Sequence, residues 1–316
     1  MPEYRNPELP EEVNNSDRRP LASFFVLSAA ALAAFGVAAL ALVFFGGELA
    51  RHLPYETEMR LIAPHAERYP PRDHPVERYL QRLADRLASG MSLPPPMAIR
   101  VHYVNEPVVN AFATLGGHIA VYRGLLERMP DENALAMVLA HEIGHARHRH
   151  PVQSLGRGVA FGAALSVLSA GAGGGVAEGV LGKSGMLTLL SFSRAQEDEA
   201  DDAGLDGLAL AYGHAGGAAD TFRMLREAAG ARGRSEPPVF LSTHPLTQAR
   251  IDRIAGAIAR RGAKADGPRT AIPEEVRRAL EKDATQTTRP STSSPPTASR
   301  IQVRVVPNTR AGNTVE

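Results

Sequence analysis

The chain contains no cysteine among its 316 residues. This absence excludes disulfide bonds, thiolate ligands for a metal, a cysteine nucleophile and a lipid carried on an N-terminal cysteine. A metal site in this protein must therefore be built from histidine and carboxylate side chains. The lack of cysteine does not fix the compartment, because a large apolar core can be stable outside the cytoplasm without disulfides.

An excess of charge of either sign is also missing. The sequence has 35 basic and 34 acidic residues, for a formal net charge of +1. Such a balance produces no overall field that would attract nucleic acid, so we expect no nucleic-acid partner. Hydrophobic residues make up 44% of the chain, which is enough for one large domain or two ordinary ones.

Charge is absent altogether from residues 21–47. A helix of this length can cross a hydrocarbon core about 30 Å thick with some tilt, so we predict a transmembrane helix here. A buried core helix and a cleaved signal peptide are the alternatives, and a run longer than the roughly 7–15 apolar residues of a signal peptide favours retention. Arg18 and Arg19 place the N-terminus in the cytoplasm by the positive-inside rule. Residues 1–20 are then a disordered cytoplasmic tail, and residues 48–75 a membrane-proximal linker.

Hydrophobic periodicity predicts a mostly helical α+β domain over residues 76–268. Helical spacing over 76–88 predicts an amphipathic helix, alternation over 98–104 predicts a strand, and two short apolar runs around Gly116-Gly117 predict a hairpin. Further helices are expected over 187–204, over 207–230 and from Thr243 onward. Residues 269–316 are expected to hold one short helix, at 273–282, and a disordered tail rich in Ser, Thr and Pro.

The segment 156–182 is rich in Gly and Ala, and only Arg157 and Glu178 are charged. Its glycines weaken any helix by about 1 kcal/mol each relative to alanine. We interpret it as a loosely packed helical hairpin or lid near a bilayer surface. A second membrane crossing is the open alternative.

The strongest motif is His141-Glu142-Ile143-Gly144-His145, on a helix whose start is marked by Pro130 and by Asp131 as N-cap. Residues four apart lie on one face of a helix, so the two histidines can bind one metal ion. Glu142 is rotated away from this pair and is free to act as a base toward water. The alternative is a helix with surface histidines.

A catalytic zinc site needs a third protein ligand. The acidic segment after the motif places Glu197 and Asp201 one turn apart, and we favour Glu197 as this ligand. The alternative is a solvated acidic face formed by Glu197, Asp198, Glu199, Asp201 and Asp202. His148 and His150 are interpreted as capping groups or as partners of a ligand rather than as ligands. Zinc with a carboxylate base predicts hydrolysis of an amide bond.

Four blocks in this order carry a family resemblance: NAFATLGGHIAVYRGLL from Asn110, HEIGHARHRH from His141, SRAQEDEAD from Ser193 and THPLTQARI from Thr243. The sequence resembles the gluzincin metallopeptidases that include the HtpX-like proteases, the CAAX prenyl endopeptidases and the Oma-type and BepA-like enzymes. With one long apolar segment, it looks closest to the last two.

The resemblance implies a zincin-like domain in which His141, His145 and Glu197 bind one Zn²⁺ and Glu142 is the base. It implies that Asp201 orients a ligand histidine. His244 matches a position that approaches the metal, either as a plug that replaces water or as a donor to the transition state, and both roles stay open. An extended substrate would pair with the strand beside the hairpin turn, at Gly116, Gly117, His118 and Ile119.

The expected function is therefore that of a membrane-anchored zinc endopeptidase whose partners are the membrane and protein or peptide substrates. By analogy with the family, the substrates are unfolded or misassembled envelope proteins. The protein is expected in the bacterial inner membrane, with its catalytic domain on the periplasmic side. The alternatives are a membrane-tethered chaperone or assembly factor with a self-inhibited zinc site, and an aminopeptidase.

Overall fold

A computed structural model of the chain describes residues 20–66, 73–172, 191–230 and 239–288. The predicted N-terminal tail, apart from Pro20, lies outside the described residues. Residues 173–182 of the Gly-rich segment and the predicted tail from 289 onward lie outside them as well.

The first helix, α1, spans Pro20–Ala50, and α2 follows at Tyr55–Ala66. Within the described ranges, Leu21–Leu42 of α1 is the one stretch of helix long and apolar enough to cross a membrane. Its large side chains, including Phe24, Phe25 and Leu27, are about two-thirds exposed. The alternative of a buried core helix is therefore wrong.

The sheet has three short strands: β1 at Arg100–Val104, β2 at Ala111–Ala113 and β3 at His118–Tyr122. Their order is β1-β3-β2, with β1 parallel and β2 antiparallel to β3. The predicted strand and hairpin are confirmed. Gly116 and Gly117 have φ values of +68° and +76° in the turn between β2 and β3, a region that L side chains rarely adopt.

Helices form most of the remaining described structure, in agreement with the predicted α+β class. They are α3 at Pro75–Ser89, α4 at Arg123–Leu126, α5 at Glu132–Arg147, α6 at His150–Ala172, α7 at Arg194–Tyr212, α8 at Ala218–Gly230, α9 at Val239–Thr243, α10 at Gln248–Arg260 and α11 at Glu274–Thr288.

Local chemistry explains two predicted helix boundaries that are wrong. The last long helix before residue 268 begins at Gln248, not at Thr243, because Pro245 intervenes and Thr247 caps the helix by accepting a hydrogen bond from the Arg250 amide. The predicted helix over 207–230 is divided, because Gly213 adopts a left-handed conformation, with φ +72°, and ends α7.

Helix α11 extends the domain beyond its predicted boundary at residue 268. Val276 and Leu280 are buried in the same core as α3, α5 and the sheet. The hydroxyl of Tyr103 in β1 donates a 2.7 Å hydrogen bond to Asp283. The short helix predicted at 273–282 is therefore confirmed, but it packs on the core instead of lying outside the domain.

Glycines allow α1 and α6 to pack backbone against backbone. A Cβ added at Gly156 would lie 2.5 Å from the carbonyl oxygen of Gly46, and one added at Gly46 would lie 2.9 Å from Cβ of Ala160. Gly156 also faces Ala50, so residue numbers rise along one helix as they fall along the other. The apolar helix and α6 are therefore antiparallel neighbours.

Helix α2 joins the end of α1 to the sheet. Tyr55 Oη donates a 2.8 Å hydrogen bond to the Gly116 carbonyl, and the Gly116 amide donates to Glu58 at 3.1 Å. Glu58 also accepts a 2.6 Å hydrogen bond from Arg149, which lies between α5 and α6. Part of the predicted membrane-proximal linker is thus a helix that contacts the β2–β3 turn.

The β2–β3 turn generates a prediction about stability. Gly117→Ala is expected to lower the free energy of unfolding by about 3 kcal/mol or more, because it strains φ and brings Cβ to 2.4 Å from the Ala98 carbonyl oxygen. Gly213→Ala is the matched control, since its φ is also positive but its Cβ would meet nothing within 4 Å. It is expected to cost about 1 kcal/mol. Equal losses in urea unfolding would contradict the proposed backbone clash.

Candidate metal centre

Helix α5 positions the His-Glu-x-x-His motif in the interior of the protein. Asp131 is the N-cap and accepts a 2.8 Å hydrogen bond from the Ala134 amide, as predicted. His141, Glu142 and His145 are fully buried, and the two histidine Nε2 atoms lie 3.1 Å apart. These are not surface histidines, so that alternative is wrong.

Helix α7 brings the acidic segment against this motif. Ser193 and Gln196 form a capping box at its start. The helix then packs closely on α5, because a Cβ added at Gly144 would lie 2.9 Å from the Ala200 carbonyl oxygen and one at Gly204 would lie 3.2 Å from the His141 amide nitrogen.

This packing divides the acidic residues into two groups. Glu197 is 4% exposed and Asp201 is fully buried, whereas the side chains of Asp198 and Glu199 are about half exposed. A solvated face therefore describes Asp198 and Glu199 but not Glu197 or Asp201.

The Glu197 oxygens lie at distances from the two histidines that are close to those between ligands of a tetrahedral metal. Glu197 Oε2 lies 3.6 Å from His141 Nε2, and Oε1 lies 3.5 Å from His145 Nε2. Ligands at the usual distance of about 2.0–2.1 Å from zinc stand about 3.3 Å apart in a tetrahedron. The donor set and its spacing therefore fit a zinc ion.

Glu142 has one oxygen held by the sheet and one without a hydrogen-bond partner. Its Oε2 accepts a 2.8 Å hydrogen bond from the Ala113 amide of β2. Its Oε1 is buried and has no hydrogen-bond partner among the described residues. Burial raises the pKa of this carboxyl, against the lowering effect of His244 and His141. Such a carboxylate oxygen can accept a hydrogen bond from water.

Asp201 and Arg250 contact the candidate ligands His141 and Glu197. Asp201 Oδ1 lies 2.9 Å from His141 Nδ1 and accepts a 2.7 Å hydrogen bond from Arg250 Nη2. Arg250 also pairs with Glu197. Burial alone would raise the pKa of Asp201, but Arg250 and His141 outweigh it and hold this pKa below its ordinary value.

Arg250 was not predicted from the sequence. It lies three residues after the cap Thr247, in the first turn of α10, and is only 7% exposed. A basic residue in the same block as His244 was visible in the sequence, but nothing local indicated that it would be buried against two carboxylates.

His244 lies among the candidate ligand atoms. Its Nδ1 is 2.9 Å from Glu197 Oε1 and 3.4 Å from His141 Nε2, while its Nε2 is 3.6 Å from Glu142 Oε1. The ring stacks on Phe240, with centroids 4.7 Å apart. Burial lowers the pKa of His244, but the carboxylates of Glu142 and Glu197 outweigh this effect and raise it.

A mostly apolar cavity of about 340 Å³ adjoins the centre. Phe192, which the sequence analysis did not identify, borders it and stacks on His145 with ring centroids 4.0 Å apart. The cavity is lined by residues of β2 and its turn, α6 and the region of α9: Asn110, Phe112, Ala113, Thr114, Leu115, Pro151, Ser154, Leu155, Phe192, Val239, Thr243 and His244.

The predicted substrate strand requires a correction. His118 and Ile119 lie in β3, which pairs with β1 on one side and with β2 on the other, so they present no free backbone edge. Gly116 and Gly117 form the turn and contact α2 and Ala98. The edge strand beside Glu142 is β2. The sequence indicated a hairpin but could not show which of its strands would be covered.

The chain is similar in sequence to several known proteases. A model of peptidase family M48 matches residues 75–258, which include all four blocks. The chain is 30% identical over 214 residues to mitochondrial metalloendopeptidase OMA1 of Schizosaccharomyces pombe, covering 65% of this chain and 59% of that protein.

Two bacterial relatives are similar at the same level. Identity is 30% over 246 residues to the beta-barrel assembly-enhancing protease of Escherichia coli K12, covering 73% of this chain and 48% of the relative. It is 32% over 227 residues to the protease HtpX homolog of Desulfatibacillum aliphaticivorans, covering 60% and 72%. The chain thus spans only 59% of the length of the OMA1 relative and 48% of the length of the Escherichia coli protease.

The location of His118 generates a prediction about pH. His118 is 5% exposed, its Nδ1 lies 2.8 Å from His102 Nε2, and burial lowers its pKa to about 4. Because the folded pKa lies below the unfolded value, stability present above pH 6.5 is lost as pH falls toward 4.

Unfolding measured at pH 6.5 and pH 4.5 should therefore show a fall in stability that His118→Gln reduces by on the order of 1 kcal/mol. The same pH dependence in the variant and the wild type would show that His118 does not resist protonation.

Proposed function

The chain belongs to peptidase family M48, and from this premise we propose that it is a zinc-dependent endopeptidase. The observation that carries the proposal is the buried set of His141, His145 and Glu197 with Glu142 beside it. The name of the fission yeast relative, a metalloendopeptidase, supports cleavage within chains rather than at their ends.

In this proposal, His141, His145 and Glu197 hold the zinc ion. When bound, zinc supplies a Lewis acid that polarises the substrate carbonyl and lowers the pKa of water. Glu142 accepts a proton from water through Oε1, because the Ala113 amide fixes Oε2. The same carboxyl then returns the proton to the leaving amine. Asp201 keeps the His141 ring oriented through Nδ1.

We place the substrate along β2 rather than β3. Thr114 and Asn110 hydrogen-bond to β3, so backbone groups at alternate residues, including Ala113, point away from it. An extended peptide beside this edge would lie next to Glu142, since the Ala113 amide already contacts that side chain. Backbone pairing gives affinity with little sequence preference, and the adjoining apolar cavity would accept one side chain.

The proposed setting is the bacterial inner membrane, with α1 as the anchor and the catalytic domain on the periplasmic side. Substrates would be unfolded or misassembled envelope proteins. The apolar stretch Leu21–Leu42 supports the anchor, and the Escherichia coli relative, named a beta-barrel assembly-enhancing protease, supports a link between proteolysis and protein assembly.

Glu142→Gln tests the catalytic assignment. The full chain in detergent, loaded with zinc, should cleave an unfolded protein about 10²–10⁴-fold faster than this variant, because the amide cannot accept a proton. The variant should keep its zinc. The matched control Glu227→Gln, at an exposed position of α8, should cleave like the wild type. Equal cleavage by wild type and Glu142→Gln would overturn the assignment.

A second candidate function is that of a membrane-tethered chaperone or assembly factor whose zinc site is closed. The observation that favours it is the location of His244 Nδ1, which lies 3.4 Å from His141 Nε2 and 2.9 Å from Glu197. A ring nitrogen there occupies the side of the ligand set where water would enter. We propose that the closed arrangement is one state of the protease rather than its only one.

His244→Ala tests this closed state. Removal of the imidazole should raise the cleavage rate several-fold at unchanged zinc content, because water and substrate gain access to the centre. Zinc content by metal analysis and initial rates on an unfolded protein are the measurements. A fall in rate at full zinc content would contradict the plug and assign His244 as a donor to the transition state.

A further inference from the structure

The second ring nitrogen of His145 faces another histidine instead of a carboxylate. His145 Nδ1 lies 2.9 Å from Nδ1 of His150, the fully buried first residue of α6. On its other side, His150 Nε2 lies 2.9 Å from Glu199 Oε2. A continuous chain of contacts therefore runs from His145 through His150 to a half-exposed carboxylate.

The backbone between α5 and α6 creates this contact. Arg149 has φ +58°, a left-handed conformation that costs a non-glycine residue on the order of 1 kcal/mol. It is held by Glu58 and by the carbonyls of Arg51 and Leu53, which all accept hydrogen bonds from its guanidinium. The change of chain direction at Arg149 brings the His150 ring into contact with the His145 ring.

Only one assignment of protons satisfies all three groups. If Nε2 of His145 binds a metal, its proton must be on Nδ1, which then donates to Nδ1 of His150. His150 must in turn carry its proton on Nε2 and donate it to Glu199. The carboxylate is thus connected to the ligand through one intervening imidazole.

We propose that His150 is a positioning residue that fixes the tautomer and ring orientation of His145, with Glu199 as its anionic partner. The two ligand histidines are then held differently, since His141 meets Asp201 directly at 2.9 Å. The proposal rests on the proposed role of His145 as a ligand. It makes metal affinity depend on a residue outside the ligand set.

The same side chains suggest another arrangement, in which His148, His150 and Glu199 bind a second cation. The 2.9 Å contact between His150 and Glu199 is that of a hydrogen bond, whereas two ligands of one zinc ion stand about 3.3 Å apart. The geometry therefore favours the relay, which is the chain of hydrogen bonds from His145 through His150 to Glu199. Binding of a second cation becomes an alternative outcome of the test.

The test compares His150→Asn with His150→Leu in the full chain in detergent. The amide oxygen of Asn takes the place of Nδ1 and can accept the His145 proton, whereas Leu preserves volume and apolar packing without an acceptor. Zinc affinity, measured by competition with a chelator, should fall about 10–100-fold in His150→Leu and less than about fivefold in His150→Asn. The absorption band of bound Co²⁺ should change only in His150→Leu.

A packing role predicts the reverse order, with Leu the milder change, and that result would overturn the proposal. Glu199→Gln should weaken zinc binding less than His150→Leu, since an amide oxygen still accepts from His150. His148→Ala is the control, because its ring stacks on His150 but the relay does not include it. It should leave affinity and a stoichiometry of one metal per chain unchanged. Two metals per chain, with one lost in His148→Ala, would replace the relay with a second site.

These measurements use no substrate, so they separate the relay from the proposed protease activity. A chain that binds zinc with the predicted order of affinities but cleaves nothing would refute the proposed function and keep the relay. If the wild type cleaves substrate but binds zinc as tightly as His150→Asn and His150→Leu do, the relay is refuted and the proposed function is kept.

Discussion

The centre depends on the backbone contact between α5 and α7. Gly144 lies inside the motif and has no side chain to hold the helices apart, and Gly204 meets the His141 backbone from the other helix. Because of this contact, Glu197 reaches two histidines that precede it by some fifty residues. A side chain at either glycine would push the two helices apart and move Glu197 away from the two histidines.

The same contact forces several charges into the interior, and their arrangement offsets the cost. Glu142, Glu197 and Asp201 are all buried. Arg250 pairs with Glu197 and Asp201, whereas Glu142 Oε1 has no hydrogen-bond partner among the described residues, lies 3.6 Å from His244 Nε2, and belongs to a carboxyl with a raised pKa. The carboxylates proposed to bind the metal and to orient His141 are thus paired with Arg250, whereas the proposed base is not.

What the sequence could predict follows from how local each feature is. His141, Glu142 and His145 share a helix turn, so their spacing alone placed them together. Glu197 was favoured from its place in the acidic segment and supported by the family resemblance, but periodicity left a solvated acidic face open because it cannot show which face of an acidic helix is buried. Strand order depends on pairing between distant segments, so the substrate edge was assigned to β3, which is covered, instead of β2. Arg250 was missed because its burial depends on packing between α7 and α10.

Helix α6 begins five residues after His145 and passes α1 at Gly156, which is about 9 Å further along its axis. With α1 in a bilayer, the packing of α6 on the end of α1 would hold the centre close to the anchor. The height of the centre above the lipid would then vary little. Substrate choice would be governed by which peptide bonds can reach that height, so a bond's distance from the membrane would matter more than the residues that flank it.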